Sequence, residues 1–556
     1  MDDSGAFFAD PDEKYDVAIL GRHLATGLLA AVLSRNGVRV LLVDGAQDAA
    51  QPAGETTVPY TAEVFFTLAS RFGVPEIAAL GLTSDLPAAV RSSSGVKHSL
   101  GFLYHAPGAE QNPRETVQFN VPGEHAEWHP YRPDVDEYAR RIAVRHGTRT
   151  IRFRPTVVDV LPGKDDVAVQ TSDGRLFRAR CVVDGLGPGS PLLPRMAATA
   201  PASTRLRHRS RLISGHLRGV RPFEDCVDPS RYPGTTPWSK GTISHLFPGG
   251  WLQVVHFDNH PDASNPLCGV SLSVGPERFG DLSGDPAVAF RAVVDRFPSL
   301  RRSFADAIAV GDWSDDLDCA SNVAGAASDR VFLFDRTATR NDMFLSRDVT
   351  MGAELVLALA PVLIRAAATD DWSAERFQPV ARFQTALAQL NDRFLVAART
   401  AGCDFMLWNA FSRVWLLWSI LAALSLKRIR NDCLRGDDWA AASRMTEGPY
   451  WFALPAGLPD LLDDTFALIE EVGRDEVMPR AAAGRIFKAL ARAPFVPPLY
   501  RFHAPEDRYY TFSVRKRLRM LVWSKTAAPP EFRAMLTREN VTSTRPAAGT
   551  NASLRD

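Results

Sequence analysis

The chain has 556 residues, enough for two or three lobes around a large core. Its 64 basic and 64 acidic side chains cancel, so bulk charge favours neither nucleic acid nor an anionic membrane as a partner. Six scattered cysteines (Cys181, Cys226, Cys268, Cys319, Cys403, Cys433), with no C-x-x-C and no His/Cys run at metal spacing, read as a reduced cytoplasmic chain without a metal.

The first residues, MDDSGAFFADPDEKYD, are acidic and lack the basic region and apolar core of a signal peptide. Residues 15–20 read as a short buried strand, 28–36 as a helix, and 38–43 as a second strand ending in Asp44. This is a βαβ unit, but its phosphate loop reads Gly21-Arg22-His23-Leu24-Ala25-Thr26 and keeps only the first glycine of G-x-G-x-x-G. A Pro/Gly-rich stretch, AAQPAGETTVPYTAEVF, leads into helical text up to about residue 90. Strands begin at GVKHSLGFLYH, and a loop rich in Pro, His and Glu ends at Pro133. DVDEYARRIAVRHG reads as a helix, TVVDVLPGKDDVAVQTSDGRLFRARCVVDGLG as a meander with Gly and Asp turns, and 205–280 as strands again. Beyond about residue 350 the pattern is almost wholly helical. FMLWNAFSRVWLLWSILAALSL carries Asn409 and Arg413 and would bury a charge as a membrane span. It therefore reads as a core helix with Trp408, Trp415 and Trp418 at helical spacing, and no membrane span is expected. The order predicts an α/β fold with a discontinuous Rossmann-like nucleotide domain (14–60, 134–200 and 320–370) and a β-rich substrate domain (61–133 and 201–319). A helical region (371–540) and a disordered tail (541–556) complete it.

Several phrases resemble the flavin-dependent halogenases, in particular the aminopyrrolnitrin (pyrrole) branch. PAGETTVP is similar to that family's G-E-[AS]-[ST]-x-P, and GVKHSLGFLYHAPG to the stretch that holds its active-site lysine, here Lys97. YRPDVDEYA and VDGLGPGSPLL resemble its internal helix start and later glycine turn. SHLFPGGWLQVVHFDNHPDASNPL lines up with the W-x-W-x-I-P segment, and DMFLSRDVTMGAELVLALA with D-P-L-F-S-R-G and its helix. DDWSAERF, LNDRFLVAA and DFMLWNAFSRVW match the helical C-terminal region, so the likeness spans nearly the whole chain. The resemblance implies an FAD-binding fold of the flavin monooxygenase type, with Gly21, Asp44, Gly54 and Ser346 at the cofactor and Phe102 and Trp251 in the substrate pocket. It further implies that reduced flavin and oxygen turn halide into hypohalous acid, which Lys97 delivers to an aromatic ring, with Glu55 retained from the G-E segment.

The departures fall where the flavin would sit. His23 and Thr26 replace the second and third glycines, and the imidazole is expected to project toward the diphosphate. No basic residue precedes the G-E segment in GAQDAAQPA. DRTATRNDMFLSRD stands for G-D-A-A-G-F-x-D-P-L-F-S-R-G, with Arg340 in place of the phenylalanine and Asp348 in place of the last glycine. A carboxylate about 4 Å from the negative end of reduced flavin costs roughly 1 kcal/mol in water and several times more in a drier site. Trp251-Leu252-Gln253-Val254-Val255-His256 keeps one tryptophan of W-x-W-x-I-P. Arg336, Arg340 and Arg347 are expected to pair with Asp335, Asp342 and Asp348 and fill the flavin volume. His98 should face away from Lys97.

These departures favour a chain that has lost FAD and halogenation and uses no cofactor. It would catalyse a non-redox step (cyclisation, dehydration or proton transfer) on a polyketide- or aryl-type natural-product intermediate, free or carrier-protein-bound. Lys97, Glu55, His256 and Gln253 would do that work, His256 because imidazole titrates near neutrality. The alternatives are a FADH2-dependent halogenase of an aromatic or pyrrole substrate using Lys97, and a non-catalytic relative that binds a partner or a carrier-bound intermediate.

Overall fold

In the computed structural model the described residues run from 8 to 533, except 45–53, 122–126, 152–154, 200–205, 233–235, 276–281, 283, 318, 320, 324, 437, 445–453, 512 and 531–532. The tail expected at 541–556 lies outside them.

β1 (Lys14–Leu20) and β2 (Val40–Val43) pair in parallel, and α1 (Leu24–Arg35) crosses between them. Both strands read as apolar runs because they lie in the interior of a parallel sheet. α2 (Pro59–Phe72) follows, then β3 (Gly95–Lys97), β4 (Ser99–Tyr104), β5 (Thr116–Asn120) and β6 (Glu127–His129). α3 (Arg132–Arg145) packs against α1. Next come β7 (Arg149–Thr150), β8 (Val157–Pro162), β9 (Val167–Thr171) and β10 (Leu176–Asp184). β10 pairs antiparallel with β9 along its first half (Leu176 to Ala179) and in parallel with β1 from Arg178 to its end. The predicted meander is therefore a hairpin grafted onto the nucleotide-type sheet.

The longer strands β11 (Arg211–Arg218), β12 (Thr242–Phe247), β13 (Gly250–His256), β14 (Leu267–Val274) and β15 (Ile308–Asp316) build a second sheet. β16 (Ala327–Ser328) and β17 (Val331–Leu333) return to the first, which runs β16-β17-β10-β1-β2-β7 with β8 and β9 attached to β10. The helices α4 (Asp348–Thr369), α5 (Ala374–Ala401), α6 (Phe405–Gly436), α7 (Leu458–Gly473) and α8 (Pro479–Arg492) then cover both. β18 (Tyr509–Tyr510), inside the stretch expected to be helical, closes the second sheet in the order β15-β11-β14-β13-β12-β4-β5-β18. Two residues are too few for a period to show in sequence.

Arg413 on α6 is fully buried, yet it donates to the carbonyls of Phe502 (3.0 Å), Ala504 (2.6 Å) and Asp507 (3.1 Å) and to Asn409 Oδ1 (3.0 Å). Backbone carbonyls thus take most of the hydrogen bonds of this buried charge, with Asp507 and Glu506 near enough to act on it electrostatically. The stretches Phe344–Thr369 and Phe405–Gly436 are long and apolar enough to cross a membrane, but 67% and 83% of their apolar windows are buried inside the protein.

α1 meets α3 at Gly27, where a Cβ would lie 2.8 Å from the Cβ of Ala139. A larger side chain there has to push the two helices apart, so Gly27→Val should destabilise the fold by about 1–3 kcal/mol. Gly484, inside α8 with nothing near its Cβ direction, is the control. Gly484→Ala should leave stability unchanged or raise it by up to about 1 kcal/mol. Urea midpoints of the two variants check both.

Candidate functional site

After β1 the chain turns through Gly21 at φ +100°, and a Cβ there would lie 2.6 Å from the carbonyl oxygen of Gly185. His23 caps α1, and its Nε2 lies 3.2 Å from that same carbonyl. The ring is thus turned across the ends of β1 and β10. Burial, reinforced by Arg336 and Arg132, pushes its pKa down to about 3, so the imidazole is neutral. Thr26 closes the first helical turn by donating to the His23 carbonyl (2.8 Å) and accepting from the His23 amide (3.0 Å). The close packing assigned to the missing third glycine is supplied from two other places. Gly185 leaves room on the strand side, where a Cβ would meet Thr26 Cγ2 at 2.6 Å, and Gly27 does so on the α3 side.

The positive end of α1 is lined by charged side chains. The Leu24 amide donates to Asp136 Oδ1 (2.9 Å), which also accepts from Arg132 Nε (3.0 Å). Arg132 Nη1 then reaches Asp348 Oδ2 at 2.6 Å, and Arg336 Nη2 reaches the same oxygen at 2.7 Å. Burial would raise the Asp348 pKa, but the two guanidinium groups outweigh it and hold the carboxyl below its usual range. The expected network therefore forms in part only. Arg340 pairs with Asp316 and Arg347 with Glu354 (3.1 Å), while Asp342 faces His208 (3.5 Å) and Asp335 faces His23 (3.9 Å). Arg132, the second cation on Asp348, was invisible to sequence pairing because it comes from another helix.

This donor set fits a dinucleotide. A 12-residue helix N-terminus and two guanidinium groups suit a diphosphate. Asp44 directly follows β2, and Gly54, at φ +80°, lets the backbone pass where a Cβ would strike Asp348. The carboxylate at position 348, expected in a network with neighbouring arginines, meets Arg336 from that network and Arg132 from outside it.

Lys97 lies opposite Glu127 in the β3–β6 ladder. It is 1% exposed, its Nζ is 2.8 Å from Glu127 Oε2, and it also donates to the Thr57 carbonyl. Thr57 Oγ1 in turn donates to the Trp128 carbonyl (2.8 Å) and accepts from the Trp128 amide (3.1 Å). Thr56 Oγ1 donates to Ser346 Oγ. Leu345 and Ser346 are both left-handed (φ 62° and 57°), a strained pair held in place by this contact and by Thr350 Oγ1 on the Ser346 carbonyl (3.1 Å). Glu55 turns away from Lys97: it accepts from His216 Nε2 (2.8 Å) and from the Arg132 amide (3.3 Å). Burial disfavours the charged imidazole of His216, and Glu55 more than compensates, raising its pKa.

β13 separates the remaining candidates. Trp251 and Gln253 point to one face and His256 to the other. Gln253 is buried between its ladder partners Ser244 and Ser271. His256 Nδ1 lies 3.0 Å from Cys268 Sγ, and burial lowers its pKa, so His256 and Gln253 do not share one pocket. Trp251 stacks on Phe344 (4.3 Å, 17°), Phe344 meets Trp408 (5.9 Å), and Trp408 meets Phe102 (5.1 Å), which joins the two expected pocket residues through one aromatic chain. Sequence reasoning missed Glu127, Arg132, His208 and His216. Each owes its place to strand register or helix packing rather than to local pattern.

No family model matches the chain. It is 32% identical over 538 residues to the monodechloroaminopyrrolnitrin halogenase PrnC of Pseudomonas fluorescens, covering 93% of each. It is also 32% identical over 541 residues to the tetracycline 7-halogenase of Kitasatospora aureofaciens, covering 94% of this chain and 95% of that one. In fold it is similar to the crystal structure of halogenase PltM in complex with phloroglucinol and FAD (26% identity, TM-score 0.82, 89% of this chain and 99% of that one). It also resembles the myxobacterial chondrochloren halogenase CndH, an FAD-dependent enzyme (19% identity, TM-score 0.54, 70% and 84% covered). These findings overturn the expectation of a cofactor-free, non-redox reaction. The relatives are halogenases, and the PltM structure holds FAD. The physical reason is that the departures at 23, 26 and 348 are absorbed by Gly185, Gly27, Arg132 and Arg336.

Asp335 supplies a test of the site's electrostatics. Burial, and then the nearby Asp348 charge, push its pKa up to about 7. The neutral acid is favoured in the folded chain, so this group's contribution to stability is full below about pH 4 and is lost as pH rises through about 7. Asp335→Asn cannot ionise. Its stability relative to the parent should be higher at about pH 8 than at about pH 5, by about 1 kcal/mol or more in urea titrations, and a pH-independent difference would sink the assignment.

Proposed function

The chain belongs to the flavin-dependent halogenases, and on that premise we propose that it is a FADH2-dependent halogenase that places an electrophilic halogen on an electron-rich aromatic or pyrrole ring at Lys97. The carrying observation is the buried Lys97–Glu127 pair. When bound, the reduced flavin supplies, with dioxygen, the oxidation that converts halide into an electrophile.

The chain's own residues hold and direct that electrophile. Glu127 and the Thr57 carbonyl engage two of the three N–H groups of Lys97, which leaves one for the oxygen of hypohalous acid. That hydrogen bond steadies the negative charge that develops on oxygen as the oxygen–halogen bond breaks. Glu127 pairs with the amine, and burial raises the Glu127 pKa against the pull of Lys97. Glu55 is a positioning residue: through His216 and the Arg132 amide it anchors the segment whose Thr57 orients Lys97. Arg132 and Arg336 would hold the diphosphate, Gly21, Asp44 and Gly54 the nucleotide end, and Ser346 the flavin edge. Phe102 and Trp251 wall the substrate pocket. The substrate is taken to be a small natural-product intermediate, in keeping with relatives named for monodechloroaminopyrrolnitrin and tetracycline.

Lys97→Met should lower halogenation by at least about 100-fold while FAD affinity is unchanged. Product assays with reduced flavin and halide, paired with FAD titration, decide it. A parental rate in Lys97→Met removes the lysine from the mechanism, and absence of FAD binding to the parent chain removes the whole reading.

A further inference from the structure

Two rings lie nearly parallel to the Trp251 indole. The His208 imidazole lies 15° from the indole plane at a centroid distance of 5.4 Å, and the Phe344 ring lies 17° from it at 4.3 Å. Trp251 is almost fully buried, and these two rings are the stacked partners of its indole among the described residues. One carboxylate contacts both covers: Asp342 Oδ2 approaches His208 Nε2 at 3.5 Å, and Asp342 Oδ1 accepts from the Phe344 amide at 3.0 Å. The Arg207 and His208 amides are anchored a second time, each donating to the Asp392 carboxylate at 2.8 Å.

Electrophilic halogen adds to an aromatic carbon from above or below the ring, where the π density lies. Indole is the most reactive ring a protein carries toward such a reagent. A chain that generates it must therefore present the substrate's ring faces and hide its own.

We propose that His208 and Phe344, clamped together by Asp342, are a shield that keeps Trp251 from being halogenated by the electrophile made beside it. The inference rests on the halogenase reading only for the source of that electrophile. The blocked reaction is HO–X + indole C–H → indole C–X + H2O: a carbon–halogen bond forms, the O–X and C–H bonds break, and the ring proton leaves with hydroxide as water.

N-bromosuccinimide supplies the electrophile without flavin, and peptide mass spectrometry of the full chain follows Trp251, with the half-buried Trp523 as reference. His208→Ala and Phe344→Ala should each speed modification of Trp251 several-fold relative to Trp523. His208→Phe, which restores a ring without the imidazole, should return the rate to the parental one, and near-UV circular dichroism and thermal midpoints confirm the fold of each variant. Equal rates in the parent, His208→Ala and Phe344→Ala overturn the shield, as does a His208→Phe rate as high as that of His208→Ala. A second arm runs turnover with reduced flavin and halide. Halogen on Trp251 in His208→Ala but not in the parent supports the proposal, and product formation with Trp251 intact in His208→Ala overturns it. Shielding in the reagent arm with no product from any chain leaves the shield standing and counts against the halogenase reading alone.

Discussion

The fold's nucleotide end turns on a single buried carboxylate. Asp348 opens α4 and receives Arg132 from the distant α3 and Arg336 from the nearby loop after β17, so three segments meet at one oxygen. Removing a carboxylate from water costs several kcal/mol, and only close cations and the positive end of a helix offset that. The same contacts decide what the residue means. As a bare charge it would repel an anionic ligand, whereas between two guanidinium groups it orders cationic donors around the start of α1. Arg132 is itself shared with Asp136, which accepts the first amide of α1, so the ion-pair chain also sets how the crossover helix sits.

The four residues Gly54, Glu55, Thr56 and Thr57 pass this order on to the chemistry. Gly54 runs against Asp348, Glu55 grips His216 and the start of α3, Thr56 holds the left-handed turn at Ser346, and the Thr57 carbonyl receives Lys97. A change at Asp348 or Ser346 is therefore mechanically close to the lysine, because one short extended segment touches both. Glu127 completes the arrangement from the facing strand and spares Lys97 the penalty of an unpaired interior charge.

The aromatic chain from Trp251 through Phe344 and Trp408 to Phe102 ties the second sheet to the α6 helix. Its members come from β13, the loop before α4, α6 and β4, so this aromatic wall is assembled from four elements, stacked at Trp251–Phe344, tilted at Phe344–Trp408 and edge-on at Trp408–Phe102. Asp342 is to this wall what Asp348 is to the nucleotide end: one buried acid whose partners, His208 and the Phe344 amide, are brought together by the fold.

The opening βαβ unit, the strand-rich middle, the helical C-terminal half and the position of Lys97 were legible in the sequence, because periodicity and short motifs are local properties of a chain. The core character of α6 was legible too, from the cost of placing Arg413 in lipid. Partnership was not. His23 and Thr26 looked like obstructions because the glycine that makes room for them, Gly185, lies just past the end of β10, and the second cation on Asp348 was hidden because Arg132 lies some two hundred residues away. His256 and Gln253 looked like one site until strand alternation put them on opposite faces of β13. A substitution is read in sequence against the residue it replaced, whereas its energy depends on the groups packed around it, and only the tertiary structure decides which those are.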